Sequence, residues 1–320
     1  MPLPSSGQIT LNEMHVEVGG SSGTEVALND SDIRGLIGKS SEAQMAFNEW
    51  YGASDVTAPV WNGSTYTFDL GTPDTIETKT GNFTLSQGGA VAIISIGGGG
   101  GGAGMLDTSQ KSSAAAERSS GGGGGGVSIK GFIGTSGDSY TVSRGSGGAG
   151  HSYSPSAGNG SSGGNTTVSG NSVSLTAGGG GGGQHDGNYS GDNSSSGGTA
   201  SGGDANYTGG KGINVTTGYG NNGGSGVSGG GGAGGGDSGQ AATNAGPAAR
   251  GTSPLDTGWL ATYIGNGGRG AVGSWPSTVG EAGQSYGGGG GAGGTNADSP
   301  NSAGNGASGA AGIVLVCYWN

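Results

Sequence analysis

The sequence predicts a mainly β and irregular protein, with a small N-terminal α/β head, a β-sandwich-like base and a long glycine-rich region. Three observations predict it. Glycine accounts for 86 of 320 residues, the apolar residues gather towards the two ends of the chain, and the strongest apolar runs have strand length and strand alternation. Of the 43 Leu, Ile, Val and Phe residues, 27 lie in 1–133, 12 in 134–310 and four in the last ten. So few apolar residues with a net charge of −11 match the composition of disordered chains. The uneven distribution argues the other way, because a core can be assembled from the two ends. The glycine-rich part is also nearly uncharged, whereas disordered tails usually stay soluble by charge.

Residues 1–54 read as a compact head. Ile9, Leu11, Met14, Val16 and Val18 suggest a strand with one slip, as a bulge would produce, ended by Gly19-Gly20. Asn29-Asp30-Ser31-Asp32 before Ile33, Leu36 and Ile37 predicts an N-cap and a short helix closed by Gly38. Around Met45, Phe47, Trp50 and Tyr51 a strand and a helical turn fit equally well.

Residues 55–96 form the β base. Ser64–Leu70 alternates, Asn82–Ser86 is a short run, and Ala90–Ile96 is apolar on both faces. Strands within 127–176 and 313–319 complete it, with a hairpin turn expected at Gly170-Asn171. The terminal run Ile313–Trp319 is expected to pair with Ala90–Ile96, which would hold both ends of the intervening region, 97–312, together.

That region carries glycine runs at 97–102, 121–126, 178–183, 229–236 and 287–294, the last two each with one Ala. Unequal segments richer in chemistry separate them. Taken alone, a glycine run loses the most entropy on folding and should stay unstructured. The alternative is polyproline-II geometry, with three residues per turn, about 3.1 Å rise and no internal hydrogen bonds. Its amides and carbonyls then point outward in three directions, where neighbouring runs without side chains can pair with them.

Several chemistries are excluded or weakened. Glycine lacks a period of three and there are only 9 prolines, so this is not collagen. Apolar runs of about seven residues are too short to span a membrane, and the N-terminal Met1-Pro-Leu-Pro gives no expectation of a signal peptide. The acidic balance and lack of a basic stripe argue against nucleic acid. Gly35-Leu-Ile-Gly-Lys-Ser40 lacks the leading glycine of a phosphate loop, which would fall at Ile33. His15, His151 and His185 are far apart, with no Cys partner for zinc. No paired carboxylates suggest glycoside hydrolysis, so no catalytic, cofactor or metal residues are expected. Cys317 reads as a packed hydrophobe.

The stretch Gly7–Gly20, with Leu28–Ile37 and Met45–Ser54, resembles an N-terminal module frequent in tail proteins of tailed bacteriophages. Ala90–Gly102, Asp138–Ser143 with Gly145–Gly150, Gly163–Thr167 and Gly312–Val316 resemble the glycine-rich domain of phage tail fibres and tip adhesins. In adhesins of T-even-like phages that domain is a bundle of polyglycine-II helices whose outer loops recognise the host. The resemblance implies packed polyglycine-II helices here. It also implies a virion location at the tail fibre or tail tip, and a head that docks on tail or baseplate proteins. The implied target is a host surface glycan or outer-membrane protein, and a homotrimer and a single copy both remain open for the assembly. Tyr153, His185, Tyr189, Trp259, Tyr263, Trp275 and Tyr286 are then expected to form the receptor-binding face, since rigid aromatics with Ser, Asn and Gly around them suit recognition. A structural fibre component and a polysaccharide-degrading tailspike are the alternative readings.

Overall fold

A computed structural model describes residues 3–40, 43–53, 56–106, 118–152, 158–186, 194–212, 255, 258–264, 266–268, 279–293 and 303–319. It is mainly β, with two short α-helices. Both helices are in the head, α1 at Leu11–Glu17 and α2 at Ser31–Gly35, and no strand occurs among the head's described residues.

The strand expected over Gln8–Val18 is therefore a helix, and the slip in the alternation shows why. Leu11, Met14 and Val18 follow the i, i+3, i+7 spacing of one helix face. Met14 is fully buried, and Leu11 and Val18 pack beside it with Ile9, Ile33 and Trp50. Val16, off that face, is 46% exposed. A capping box starts the helix: the Glu13 amide donates to Thr10 Oγ1 at 3.2 Å and the Thr10 amide to Glu13 Oε2 at 2.6 Å. Gly19, at φ 83°, ends it. The second helix follows Asp30 as expected, and residues Phe47–Trp50 make a 3-10 turn that places Trp50 on the Ile33 carbonyl.

The strands are β1 (Trp61–Asn62), β2 (Thr67–Phe68), β3 (Thr75–Lys79), β4 (Phe83–Thr84), β5 (Gly89–Ile96), β6 (Met105–Leu106), β7 (Arg118–Ser119) and β8 (Val127–Gly134). There follow β9 (Ser139–Ser143), β10 (Thr166–Gly170), β11 (Val173–Ala177), β12 (His185–Asp186), β13 (Ala200–Ser201), β14 (Ala205–Tyr207), β15 (Ala303–Gly304) and β16 (Ile313–Trp319). Two antiparallel five-stranded sheets, ordered β14-β8-β5-β16-β3 and β13-β11-β10-β9-β4, pack as a sandwich. The expected pairing of the terminal strand holds through seven residues, from Ile313 opposite Ile96 to Trp319 opposite Ala90. The hairpin between β10 and β11 turns at Asn171-Ser172, both at positive φ, one residue beyond the expected place.

Alternation decides which core each residue joins. Val91, Ile93, Val314, Val316 and Tyr318 face Phe83, Tyr140, Val168 and Leu175 of the second sheet, with Leu85 just beyond β4. Ala90, Ala92, Ile94, Ile96, Leu315 and Cys317 face outward under a cover of Phe68 and Trp61 from the β1-β2 hairpin, with Leu255, Leu260 and Ile264. Hence β5 and β16 are buried on both faces. The sandwich also takes in β13 and β14, which lie within 97–312. Burial pushes the Cys317 thiol far above its ordinary range. A thiol reagent is accordingly expected to leave native protein unlabelled and to label one thiol per chain after denaturation, as intact mass will show.

The sandwich strands run straight into the glycine bundle. Ile96 pairs with both Val127 and Ile313, and Gly97 follows with its amide on the Gly126 carbonyl at 2.9 Å. Around the central run 97–104 the hydrogen-bond partner changes with a period of three. The amides of Gly97, Gly100 and Ala103 go to run 120–126, those of Gly98, Gly101 and Gly104 to run 158–164, and those of Gly99 and Gly102 to Ala310 and Ala307. Its carbonyls accept in the same rhythm. Gly98 and Gly101 take Gly180 and Gly183, Gly99 and Gly102 take Gly148 and His151, and Gly100 and Ala103 take Gly290 and Gly293.

Three residues per turn is polyproline-II geometry, and six neighbours around one helix is hexagonal packing. The six are bonded to each other in a closed ring: Gly123 to Gly181, Gly160 to Gly183, Ser161 to Ala149, Gly309 to Gly148, Ala307 to Gly291, and Gly122 to Gly290. Residue numbers across these bonds show that runs 120–126, 158–164 and 304–312 are antiparallel to the centre, and 145–151, 178–184 and 287–293 parallel to it. None of Gly97–Gly102 has positive φ. Glycine is needed there for approach rather than for backbone conformation: a Cβ on Gly100 would overlap the Gly181 carbonyl.

Candidate functional site

The register of the bundle defines two ends. At one, the runs become sandwich strands. At the other, Gly104 bridges Gly158, β6 pairs with β15, and β7 pairs with β12. Runs 97–104, 145–151, 178–184, 209–212 and 287–293 leave the sandwich for this far end, while 120–126, 158–164, 195–198, 279–284 and 304–312 return from it. The residues flanking 107–117, 153–157, 187–193 and 294–302 therefore meet at the far end, where Gly280, which follows 269–278, bonds to Asn305.

The short pairings there are held by side chains as well as backbone. Ser119 Oγ donates to the Gly293 carbonyl at 2.9 Å, and Ser195 Oγ to that of Gly121 at 2.8 Å. His185, half-buried in β12 opposite Ser119, donates its amide to Asn159 Oδ1 at 2.7 Å. That bond ties the strand to a neighbouring run. His151 lies at the same end, its amide on the Gly102 carbonyl at 3.1 Å and its own carbonyl accepting from Gly306. Its ring fills the space above Gly158 and Gly104, both of which lack a side chain. Sequence reasoning weighed His151 only as a zinc ligand. Its position six residues beyond Gly145, at the end of a glycine-rich run, was the available signal. Among the described residues no group of three His, Cys, Asp or Glu side chains converges.

Of the seven residues expected to form one face, the four that are described do not all lie at the same end of the bundle. His185 is at the far end. Tyr153, Tyr189 and Trp275 lie outside the described residues. Trp259, Tyr263 and Tyr286 are at the sandwich end, half-buried against the outer core cluster. Trp259, in the turn Gly258–Thr262, and Tyr263, just after it, make an edge-on contact with ring centroids 6.4 Å apart. Tyr286 donates its amide to the Tyr263 carbonyl and lies under the Arg144 guanidinium, whose Nε donates to the Gly312 carbonyl at 2.6 Å. The physical reason is burial: the β5–β16 face needs a cover, and these rings have the area to supply it. Tyr207 in β14 packs against the same cluster, and its hydroxyl accepts from Trp61 Nε1 at 2.8 Å.

Side chains in the described runs of the bundle are mostly absent or small. Residues 75–319 match the family described as a glycine-rich domain. Comparison with curated proteins finds no match.

Proposed function

The chain belongs to the glycine-rich domain family, and from that premise we propose that it is a bacteriophage tail fibre or tip adhesin attaching non-covalently to the host surface. One observation supports the reading: the stem is a laterally hydrogen-bonded bundle, and the described residues on either side of 107–117, 153–157, 187–193 and 294–302 lie together at the end remote from the sandwich. A site on rigid supports loses little entropy on binding, which favours a stem of this kind for holding recognition loops. The connections contain Tyr153, Tyr189 and Trp275 among Ser, Asn and Gly, a composition suited to glycan faces or protein loops.

The head has its own core and lies outside the matched residues, in keeping with a separate docking role on tail or baseplate proteins. The resemblance of its segments to a tail-protein module supports the same role. The expected outcome is that purified chain blocks phage adsorption to host cells in a dose-dependent way. A chain with 153–157, 187–193 and 269–278 replaced by Gly-Ser linkers of equal length should fold and fail to block. Undiminished adsorption at saturating chain would favour a structural fibre component instead. Release of reducing ends from host polysaccharide would favour a tailspike.

A further inference from the structure

Asparagine followed by glycine is chemically unstable, because the next amide nitrogen can reach the side-chain carbonyl carbon and glycine puts no Cβ in the way. The chain has five such pairs, beginning at Asn62, Asn159, Asn222, Asn266 and Asn305. Asn222 lies outside the described residues. Three of the others are locked into the bundle. The Gly160 amide donates to the Gly183 carbonyl at 2.9 Å, while Asn159 Oδ1 accepts from the His185 amide. The Gly306 amide donates to the His151 carbonyl at 3.1 Å, and Gly267 is buried beside Gly268, whose amide is on the Gly289 carbonyl.

Asn62-Gly63 differs from these. It enters the turn between β1 and β2, both residues are exposed, and no described residue accepts from the Gly63 amide. The Asn62 side chain is nonetheless fixed, since its Oδ1 accepts from the Ser64 amide at 2.9 Å and from the Thr65 amide at 3.3 Å. Two N–H groups on one carbonyl oxygen polarise it and stabilise negative charge that develops there. The turn thus leaves the nucleophile open to solvent and activates the carbon it attacks.

We propose that Asn62 is a self-modification site, at which the Gly63 nitrogen displaces the side-chain nitrogen. The Gly63 amide gives its proton to solvent and its nitrogen bonds to Asn62 Cγ, so that negative charge collects on Oδ1 between the Ser64 and Thr65 amides. The Cγ–Nδ2 bond then breaks, and the nitrogen takes up a proton from water and leaves as ammonia. One water opens the resulting five-membered succinimide. Attack at Cγ gives aspartate in an unchanged backbone, and attack at the main-chain carbonyl carbon gives isoaspartate.

The two products differ in what they do to the fold. Aspartate keeps a side-chain oxygen for both amides. Isoaspartate adds a methylene to the backbone between Trp61 and Phe68, which lie opposite each other and cover the outer core. That shifts the hairpin register, and with it the bond from Trp61 Nε1 to the Tyr207 hydroxyl. None of this depends on what the far end binds.

Peptide mass spectrometry of the full chain, incubated at mildly alkaline pH, tests the site against its own internal standards. In native protein Asn62 should gain the mass of an amide-to-acid exchange at least about tenfold faster than Asn159 and Asn305, whose following amides must first open. In denaturant the three should react at similar rates, and Asn62 no faster than in the native chain. Equal native rates at Asn62 and Asn159 overturn the proposal, as does a native Asn62 rate below the denatured one. Gly63→Ala places bulk beside the attacking nitrogen, with its Cβ 3.3 Å from the Tyr207 hydroxyl, and should slow the reaction at least about tenfold. An unchanged rate in that variant would mean direct hydrolysis by water and would also overturn it.

Discussion

Gly100→Val is expected to lower stability by about 3 to 5 kcal/mol or to prevent folding, although it adds only an apolar side chain. Gly100 donates to Gly123 and accepts from Gly290, and its missing Cβ would lie on the Gly181 carbonyl. Making room there means moving a backbone that is itself bonded to Gly123 and Ser196. Each bond lost costs about 0.5 to 1.5 kcal/mol net, and a buried group left unpaired costs more. Thermal unfolding followed by circular dichroism measures the loss. Gly35→Ala is the control: at that exposed helical position nothing lies within 4 Å of an added Cβ, so stability should rise by a few tenths to about 1 kcal/mol. Equal effects at the two positions would mean that close packing of the runs is not what requires glycine.

Ending the chain at Gly312 is expected to abolish the sandwich and the bundle together. Strand β16 lies between β5 and β3, and its loss leaves β3 without a partner and β5 bonded on one side only, to β8. It also opens two cores at once, since Val314, Val316 and Tyr318 fill one and Ile313, Leu315, Cys317 and Trp319 the other. The neighbouring run 304–312 then has no anchor at its sandwich end. The expected result is rapid proteolysis of everything beyond the head, with no cooperative unfolding transition in that part. Removing 1–54 should leave that transition in place, because the head's core cluster of Leu3, Ile9, Met14, Ile33 and Trp50 is its own. A protease-resistant fragment covering 56–312 from the truncated chain would contradict this.

The strands were legible where burial matches a simple pattern. Ala90–Ile96 and Ile313–Trp319 are apolar on both faces, and such runs belong at the centre of a covered sheet. The helix at Leu11–Glu17 was misread because five apolar residues in ten fit a bulged strand and a helix face almost equally, and the Thr10-Leu-Asn-Glu13 spacing of a capping box, which decides between them, was passed over. Trp259, Tyr263 and Tyr286 were assigned to recognition because they stand in loop-like sequence. What they cover, the outer face of β5 and β16, is distant in sequence and had no local signature. His151 left a local signal, its place at the end of run 145–151, but that this run ends away from the sandwich follows only from hydrogen-bond register.

What the sequence determined by itself is a consequence of size and polarity. Runs without side chains can meet only backbone to backbone, and two continuous apolar strands must be buried together. Which run neighbours which was decided by the tertiary structure alone. All glycine runs are chemically alike, so nothing within 97–102 or 178–183 selects a partner. Selection comes from the sandwich, whose side chains set the register of β5, β8, β11 and β16, and from there each run inherits its position and direction in the bundle.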